Sequence, residues 1–242
     1  MTHPYERTPP TMSIFRKAMV FASFFGCCIA LALEAAALAT KYWVVSEARR
    51  RFDNGTLDFS SDGKVNFGLF RGKKELNYGY GTRVSFINVA SLIVDEGEFM
   101  VWGLWIATLT CMAGAILFSS LGAFFAVVNT ATNPINALPG TLGLYVWNCA
   151  AFVLNVCVIL TWVAQYKSKL YDNVMDRMDR SHQWTSRNMA TLGYSVWLIL
   201  GAALVHAINV GVIISATRTR KPKREYIGHA SPSKVQGAIM LY

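Results

Sequence analysis

The sequence predicts an all-α integral membrane protein, a left-handed four-helix transmembrane bundle with a small antiparallel β-sheet in its first extracellular loop. Three observations carry this. Of the 242 residues 53% are hydrophobic and only 15% are charged, where a soluble domain carries about 25% charged residues. The apolar residues gather into four blocks, each long enough to cross about 30 Å of hydrocarbon as a helix. The two tails flanking the blocks are basic, as in membrane proteins whose ends stay inside.

The blocks run over residues 18–39, 99–128, 143–165 and 192–216. The first begins after a polar head of 17 residues. It is also longer than the 7–15 apolar residues of a typical signal peptide, so it reads as a retained helix despite the cleavage-like Ala37-Leu38-Ala39. The second is longer than a bilayer needs and must tilt or project. Its opening, Phe99-Met100-Val101-Trp102, fits an interfacial aromatic anchor.

Orientation follows from the loops. Three Lys/Arg precede the first block and six follow the last, with one acidic residue in each tail. The turn over 129–142 is uncharged and holds the helix breakers Pro134 and Pro139. The loop over 40–98 holds nine basic and eight acidic residues, but long loops translocate largely regardless of charge. These features place the tails and the 129–142 turn in the cytoplasm and the segments 40–98 and 166–191 outside, in a multi-pass protein of the plasma membrane. The tail over 217–242 begins with Arg218, Arg220, Lys221, Lys223 and Arg224. With no base-stacking aromatics between them, they read as a stop signal facing anionic lipid, and no nucleic-acid partner is expected.

Within the first outer loop, Asn54-Gly55-Thr56 makes Asn54 an N-glycan acceptor. Residues 65–70 and 83–89 are rich in β-branched and aromatic side chains and read as strands, separated by a stretch over 72–81 with turn signals at both ends. In the second outer segment Leu170, Val174 and Met178 recur every four residues among charges. That period predicts a third helix continuing past the membrane with one apolar stripe.

Glu34 is the one acidic residue inside an apolar block. A carboxylate there costs on the order of 3 kcal/mol to insert, so it should face protein or take up a proton. The simpler reading is a carboxyl group hydrogen-bonded inside the bundle or helped by Lys41; the rival is a proton relay with His206. His206 and Asn209 share one helix face, as do Asn148 and Asn155, and such groups form interhelical hydrogen bonds. Ala203, Ala207 and Gly211, and the pairs Ala32/Ala36 and Ala35/Ala39, are spaced for close helix contact with other membrane proteins or within the bundle. All five cysteines lie inside apolar blocks, so no disulfide framework and no metal spacing is present in the loops. No nucleophile elbow, P-loop, dinucleotide fingerprint or zinc-protease motif occurs. The sequence therefore predicts no enzyme, no cofactor and no metal site. The last residues, Met240-Leu241-Tyr242, match the loose pattern of a PDZ-domain ligand.

The order of these features resembles the clarins. Trp43 follows the first helix, then come Asn54-Gly55-Thr56, Asn66-Phe67-Gly68-Leu69-Phe70-Arg71-Gly72 and Tyr78-Gly79-Tyr80-Gly81. Gly140-Thr141-Leu142-Gly143-Leu144-Tyr145 at the third helix and the Leu-Tyr ending resemble the clarin pattern too. Clarins belong to the claudin-like four-helix proteins, whose outer loop carries a Trp and a Gly-Leu-Trp element; Trp43 and Gly68-Leu69-Phe70 match that outline. The resemblance implies that Trp43, Gly68, Leu69, Phe70 and Gly72 are structural residues of the loop. This sequence departs from it near Ser46 and Tyr78, where clarins carry cysteines, which suggests a divergent, invertebrate-type member. The function implied is non-catalytic organisation of membrane, cytoskeletal or synaptic assemblies in sensory cells, as in hearing and vision, with PDZ or actin-linked partners and membrane lipid. Rival expectations are a claudin-type adhesion or barrier protein, an auxiliary subunit of an ion channel or mechanotransduction complex, and a proton-coupled transporter resting on Glu34 and His206.

Overall fold

The computed structural model describes residues 14–131 and 140–218. Helix α1 (Ile14–Ala39) leads into strands β1 (Val44–Arg51), β2 (Leu57–Phe67), β3 (Arg71–Asn77) and β4 (Thr82–Asn88), and then a short helix α2 (Val89–Asp95). Helices α3 (Trp102–Ala131) and α4 (Thr141–Gln165) follow, and a π-turn over Tyr166–Leu170 extends α4. A short helix α5 (Arg177–Ser181) and strands β5 (Trp184–Thr185) and β6 (Ala190–Leu192) precede helix α6 (Tyr194–Arg218).

Among the described residues, four helices are long and apolar enough to cross a membrane, over Lys17–Ala39, Trp102–Ala131, Leu142–Leu170 and Tyr194–Thr217. The protein is a multi-pass membrane protein. Its helices pack in a ring, α1 against α3 and α6, and α4 against the same two. Only 28–33% of each span is buried inside the protein. Helices apolar all round and covered on one side only have lipid as their other solvent.

The strands form one six-stranded antiparallel sheet on one end of the bundle, ordered β4-β3-β2-β1, with β5 and β6 pairing separate parts of the far edge of β1. Alternation turns Val44, Ser46 and Ala48 of β1 and Val65 and Phe67 of β2 inward. One continuous hydrophobic cluster runs from Val44, Val65 and Phe67 through Trp43, Phe99 and Met100 down to Met112, Trp162 and Ile199, and a second, around Val20, Ala126, Leu144 and Ile213, fills the other end of the bundle. The sheet rests on the bundle through continuous packing.

The sheet is larger than the sequence patterning predicts. Strand β1 was not foreseen, and most of the expected 72–81 turn is strand β3, leaving the turn between Asn77 and Thr82. Both strands are rich in charge, Glu47 with Arg49–Arg51 and Lys73-Lys74-Glu75, because one sheet face is wet and masks the period-2 signal. Conversely, Gly68-Leu69-Phe70, read as the end of a strand, forms the tight β2–β3 connection, closed by Gly68 N–H donating to the Arg71 carbonyl (2.9 Å). Helix α3 starts at Trp102, so Phe99 is a core residue packed on Phe67 (5.5 Å between rings), and of the two aromatics only Trp102 is exposed.

The predicted continuation of the third helix holds only as far as Leu170. After the π-turn the chain straightens, and of the Leu170, Val174, Met178 stripe the first two are buried while Met178 is 71% exposed. The cause is Asn173, whose side-chain oxygen accepts from Met175 N–H (3.0 Å) and the Ser186 hydroxyl (2.8 Å). Such local bonds compete with helix.

This second segment is clamped to the sheet by charge. Lys74 of β3 reaches Asp176 (2.7 Å) and Asp179, all three side chains at most 19% exposed. Burial pulls the Lys74 ammonium down, but its two carboxylate partners outweigh that and hold it above its ordinary value. Burial pushes Asp176 up too, yet Lys74 keeps it below the usual carboxylate range, whereas burial and the neighbouring Asp176 leave Asp179 above it. The stabilising carboxylate is therefore Asp176, with a contribution present at neutral pH and lost as pH falls below its ordinary 3.8. Protection from hydrogen exchange over residues 173–186 should hold at neutral pH and be lost as the pH falls below about 3.8. Lys74→Met, which leaves two buried carboxylates without a cation, should destabilise this region by about 3 kcal/mol at pH 7 by the same measurement.

Candidate functional site

Two constructions stand out: a chain of polar side chains inside the bundle, and the seam where the sheet meets it. The first starts at Glu34 on α1, which is fully buried. Its Oε1 accepts from Asn155 Nδ2 of α4 (2.7 Å) and from the Ser119 hydroxyl of α3 (3.0 Å). Ser119 Oγ also lies 2.8 Å from His206 Nε2 of α6, and His206 Nε2 is 3.7 Å from Glu34 Oε1. On the other side of the ring, His206 Nδ1 lies 3.0 Å from Asn148 Oδ1. That oxygen also accepts from Asn209 Nδ2 (3.1 Å) and Cys27 Sγ (3.5 Å). All four long helices meet in this chain.

The amides fix the protons. Asn148 Nδ2 donates to the Leu144 carbonyl (2.9 Å), so Asn148 Oδ1 can only accept and His206 Nδ1 carries hydrogen. Ser119 Oγ donates to Glu34 Oε1 and lies against His206 Nε2, so this one hydroxyl bridges the two ionisable groups of the bundle. Among the described residues Glu34 Oε2 and Asn155 Oδ1 have no hydrogen-bond partner.

At the seam, Trp43 Nε1 donates to the Ala37 carbonyl (2.7 Å) at the end of α1, and its ring meets Trp162 of α4 edge-on at 5.0 Å. Trp43 N–H donates to Phe67 of β2 (3.0 Å) and its carbonyl accepts from Gly193 N–H (3.0 Å). Trp105 Nε1 of α3 holds the Leu69 carbonyl at 2.9 Å. Two glycines permit this contact: a Cβ on Gly68 would lie 2.2 Å from the Thr40 carbonyl oxygen, and one on Gly193 1.9 Å from that of Tyr42. Of the loop residues, Trp43, Gly68, Leu69 and Gly72 are buried, while Phe70 is 45% exposed on the flank.

A family model described as Clarin-2-like matches residues 14–213. The chain belongs to the clarin family. Among curated relatives, this clarin is 24% identical to Clarin-3 of Homo sapiens over 219 residues, 88% of this chain and 93% of that one. Clarin-3 of Mus musculus is 26% identical over 196 residues, 78% and 81% of the two chains. Clarin-2 of Homo sapiens is 26% identical over 152 residues, 62% and 64%.

In this clarin the structure brings together all five intramembrane polar residues named from sequence: Glu34, Asn148, Asn155, His206 and Asn209. Ser119, the atom bridge between the two ionisable groups, was missed. It lies on the buried stripe Thr108, Met112, Ala115, Ser119 and Gly122 of α3, a period that could have revealed it. Also missed was Gly26, where a Cβ would strike Asn209 Oδ1 at 2.1 Å. Ala207 and Gly211 of α6 and Ala32, Ala35, Ala36 and Ala39 of α1 face outward to lipid, while Ala203 is buried in the bundle. All five cysteines are free thiols on the helices. Among the described residues no group of three potential metal ligands forms. Met240, Leu241 and Tyr242 lie outside the described residues.

Because the chain of polar groups is shared, its members should not act independently. In a double-mutant cycle followed by thermal unfolding in micelles, Glu34→Leu and His206→Leu should couple by about 1 kcal/mol, the double variant losing less than the sum of the singles. Glu34→Gln, which keeps an acceptor for Ser119 and Asn155, should cost no more than about 1 kcal/mol. Strict additivity would mean the two groups do not share Ser119.

Proposed function

We propose that this clarin is a non-catalytic organiser of membrane, cytoskeletal or synaptic assemblies in sensory cells, acting at the plasma membrane through its sheet and its lipid-facing helices. The observation that carries the reading is where its polar chemistry is spent. The ionisable groups inside the bundle bond to one another, while the sheet presents an unpaired edge strand, β4, with Val84 and Phe86 (75% exposed) turned outward. An open edge with exposed apolar side chains is a surface for partners. The sheet end faces out and both tails lie in the cytoplasm.

Asn54 supports this orientation. It sits at the exposed β1–β2 turn, and its Oδ1 accepts from Thr56 N–H (3.0 Å) and the Thr56 hydroxyl (2.6 Å). Its amide nitrogen makes no hydrogen bond among the described residues, which suits a glycan acceptor. Asn54→Gln should remove one endoglycosidase-sensitive band on a gel; an unchanged pattern would argue against an outward sheet.

The reading is tested by tagging the N-terminus at the endogenous locus and imaging alongside actin and cell-contact markers. Enrichment on actin-rich protrusions or synapses of sensory cells is expected, and a continuous belt along epithelial contacts would favour a claudin-type barrier instead. Gly68→Leu, which must open the seam at Thr40, should be retained in the endoplasmic reticulum. Normal surface delivery of that variant would show that the seam is dispensable.

A further inference from the structure

Two cavities open side by side on the flank of the molecule where the sheet meets α1. The larger, about 690 Å³, is walled by Lys41, Phe70, Arg71, Phe86 and Ile87. The smaller, about 360 Å³, continues from Lys41, Phe70 and Arg71 onto Leu38 and Ala39 at the end of α1. Lys41, Phe70 and Arg71 belong to both, so the two form one groove with a basic waist.

The waist is built by the seam. Asn66 Nδ2 donates to the Lys41 carbonyl (3.0 Å), and Gly68 lies against the Thr40–Lys41 backbone. The Gly68 N–H bond to the Arg71 carbonyl (2.9 Å) then folds Phe70 and Arg71 back beside Lys41. Lys41 Nζ stands 5.4 Å from the centre of the Phe86 ring. No carboxylate lines either cavity, and neither Lys41 nor Arg71 joins an ion pair among the described residues. Three other cations of the sheet have carboxylate partners: Lys73 with Glu75, Lys74 with Asp176 and Asp179, and Arg49 with Glu47.

Depth identifies the occupant. Leu38 and Ala39 close the apolar span Lys17–Ala39, and Lys41 lies two residues beyond it. Trp102 at the start of α3, 52% exposed, and the stacked pair Tyr42 and Tyr194 lie at the same ends of their spans, as aromatic residues do at a membrane surface. The groove therefore has two unpaired cations at headgroup level and an apolar wall running down into the hydrocarbon. A molecule with a permanent anion at that level and a chain below it is a phospholipid.

We propose that this groove is a phospholipid site, in which the phosphodiester lies between Lys41 and Arg71 and an acyl chain follows Phe70, Leu38 and Ala39 down α1. Arginine and lysine are the side chains suited to phosphate. The bound lipid would fill the flank of the seam and fasten the Gly68–Gly72 connection to the bilayer. The site depends only on the membrane placement of the chain, not on the sensory role.

The test is native mass spectrometry of the full-length clarin released from mild detergent, with added phosphatidylglycerol, phosphatidylcholine or diacylglycerol. One phospholipid per chain should be retained with either headgroup, and diacylglycerol, which lacks phosphate, should not be. Lys41→Gln and Arg71→Gln should each weaken retention roughly tenfold, as loss of one hydrogen bond to a charged group implies. Lys41→Arg should restore it, and Lys64→Gln on the exposed face of β2 should not change it. Unchanged retention in folded Arg71→Gln, or equal retention of diacylglycerol, would overturn the proposal. Competition by millimolar glycerophosphate as strong as by phospholipid would show a site for free phosphate instead of lipid. Because Arg71 is exposed and its side chain makes no ion pair, its variant should fold even if a Lys41 variant does not.

Discussion

The seating of Trp43 is the contact on which the rest of the structure depends. A helix leaves its last carbonyls without intrahelical partners, and at the edge of lipid such groups are costly. In α1 two of these, the carbonyls of Ala36 and Ala37, are met by Thr40 N–H (3.1 Å), the Thr40 hydroxyl (3.0 Å) and the Trp43 indole (2.7 Å). The side chain that caps the helix also has its own backbone in the sheet, bonded to Phe67 and Gly193. Capping α1 and placing the sheet are thus one event. Trp105 repeats the device from α3, with its indole on the Leu69 carbonyl, so the β2–β3 connection is held from two helices. The cavity flanked by Lys41 and Arg71 exists only because this seam draws those cations together.

A second constraint acts inside the bundle. Four apolar helices in lipid gain little from burying apolar surface against each other, because lipid is as apolar as they are. Packing and hydrogen bonds must specify their neighbours. The chain Glu34, Asn155, Ser119, His206, Asn148, Asn209 and Cys27 visits every long helix, so a helix rotated by one residue would strand polar atoms in hydrocarbon. Small residues make room for it: Asn209 lies against Gly26, and Cys27 Sγ would sit 3.1 Å from a Cβ on Gly122. Donors from Ser119 and Asn155 on one carboxyl oxygen, with His206 nearby, hold Glu34 at this depth without a lysine or arginine beside it.

These two levels were unequally legible in the sequence. The spans could be read because a bilayer demands long apolar runs whatever their neighbours, and the structure shifts their ends by only a few residues. Glu34, His206 and the three asparagines were legible because any polar group in such a run needs a partner. What that reading could not supply was who pairs with whom. Ser119 is silent in a helix that tolerates serine, and its importance comes from the two ionisable groups on either side. Gly26 and Gly193 are silent for the same reason, since a close approach belongs to the facing chain. The sheet was legible only at its apolar strands. Strands β1 and β3 are written largely in Arg, Lys and Glu because their outer faces are in water, and the Leu170, Val174, Met178 stripe imitated a helix because a period of four also suits a chain that buries two residues and exposes the third.

The absence of any thiol from the sheet gives these noncovalent contacts a heavier role. A disulfide would restrict the unfolded loop and keep the sheet closed whatever happened at the seam. Here closure comes from the ladders of β1 to β4, the Lys74 clamp, and the edge-on contact of Tyr78 with Trp184 (5.4 Å), over which Arg83 is placed 5.7 Å from the tyrosine ring. The last two contacts join the loop after α1 to the loop after α4: Lys74 and Tyr78 come from the first, Asp176 and Trp184 from the second. Strands β1 to β4 pair within one loop, but β1 takes up β5 and β6 at its far edge only when the two helix pairs stand side by side. The polar chain in the membrane, by aligning the helix pairs, thus sets where the sheet is completed.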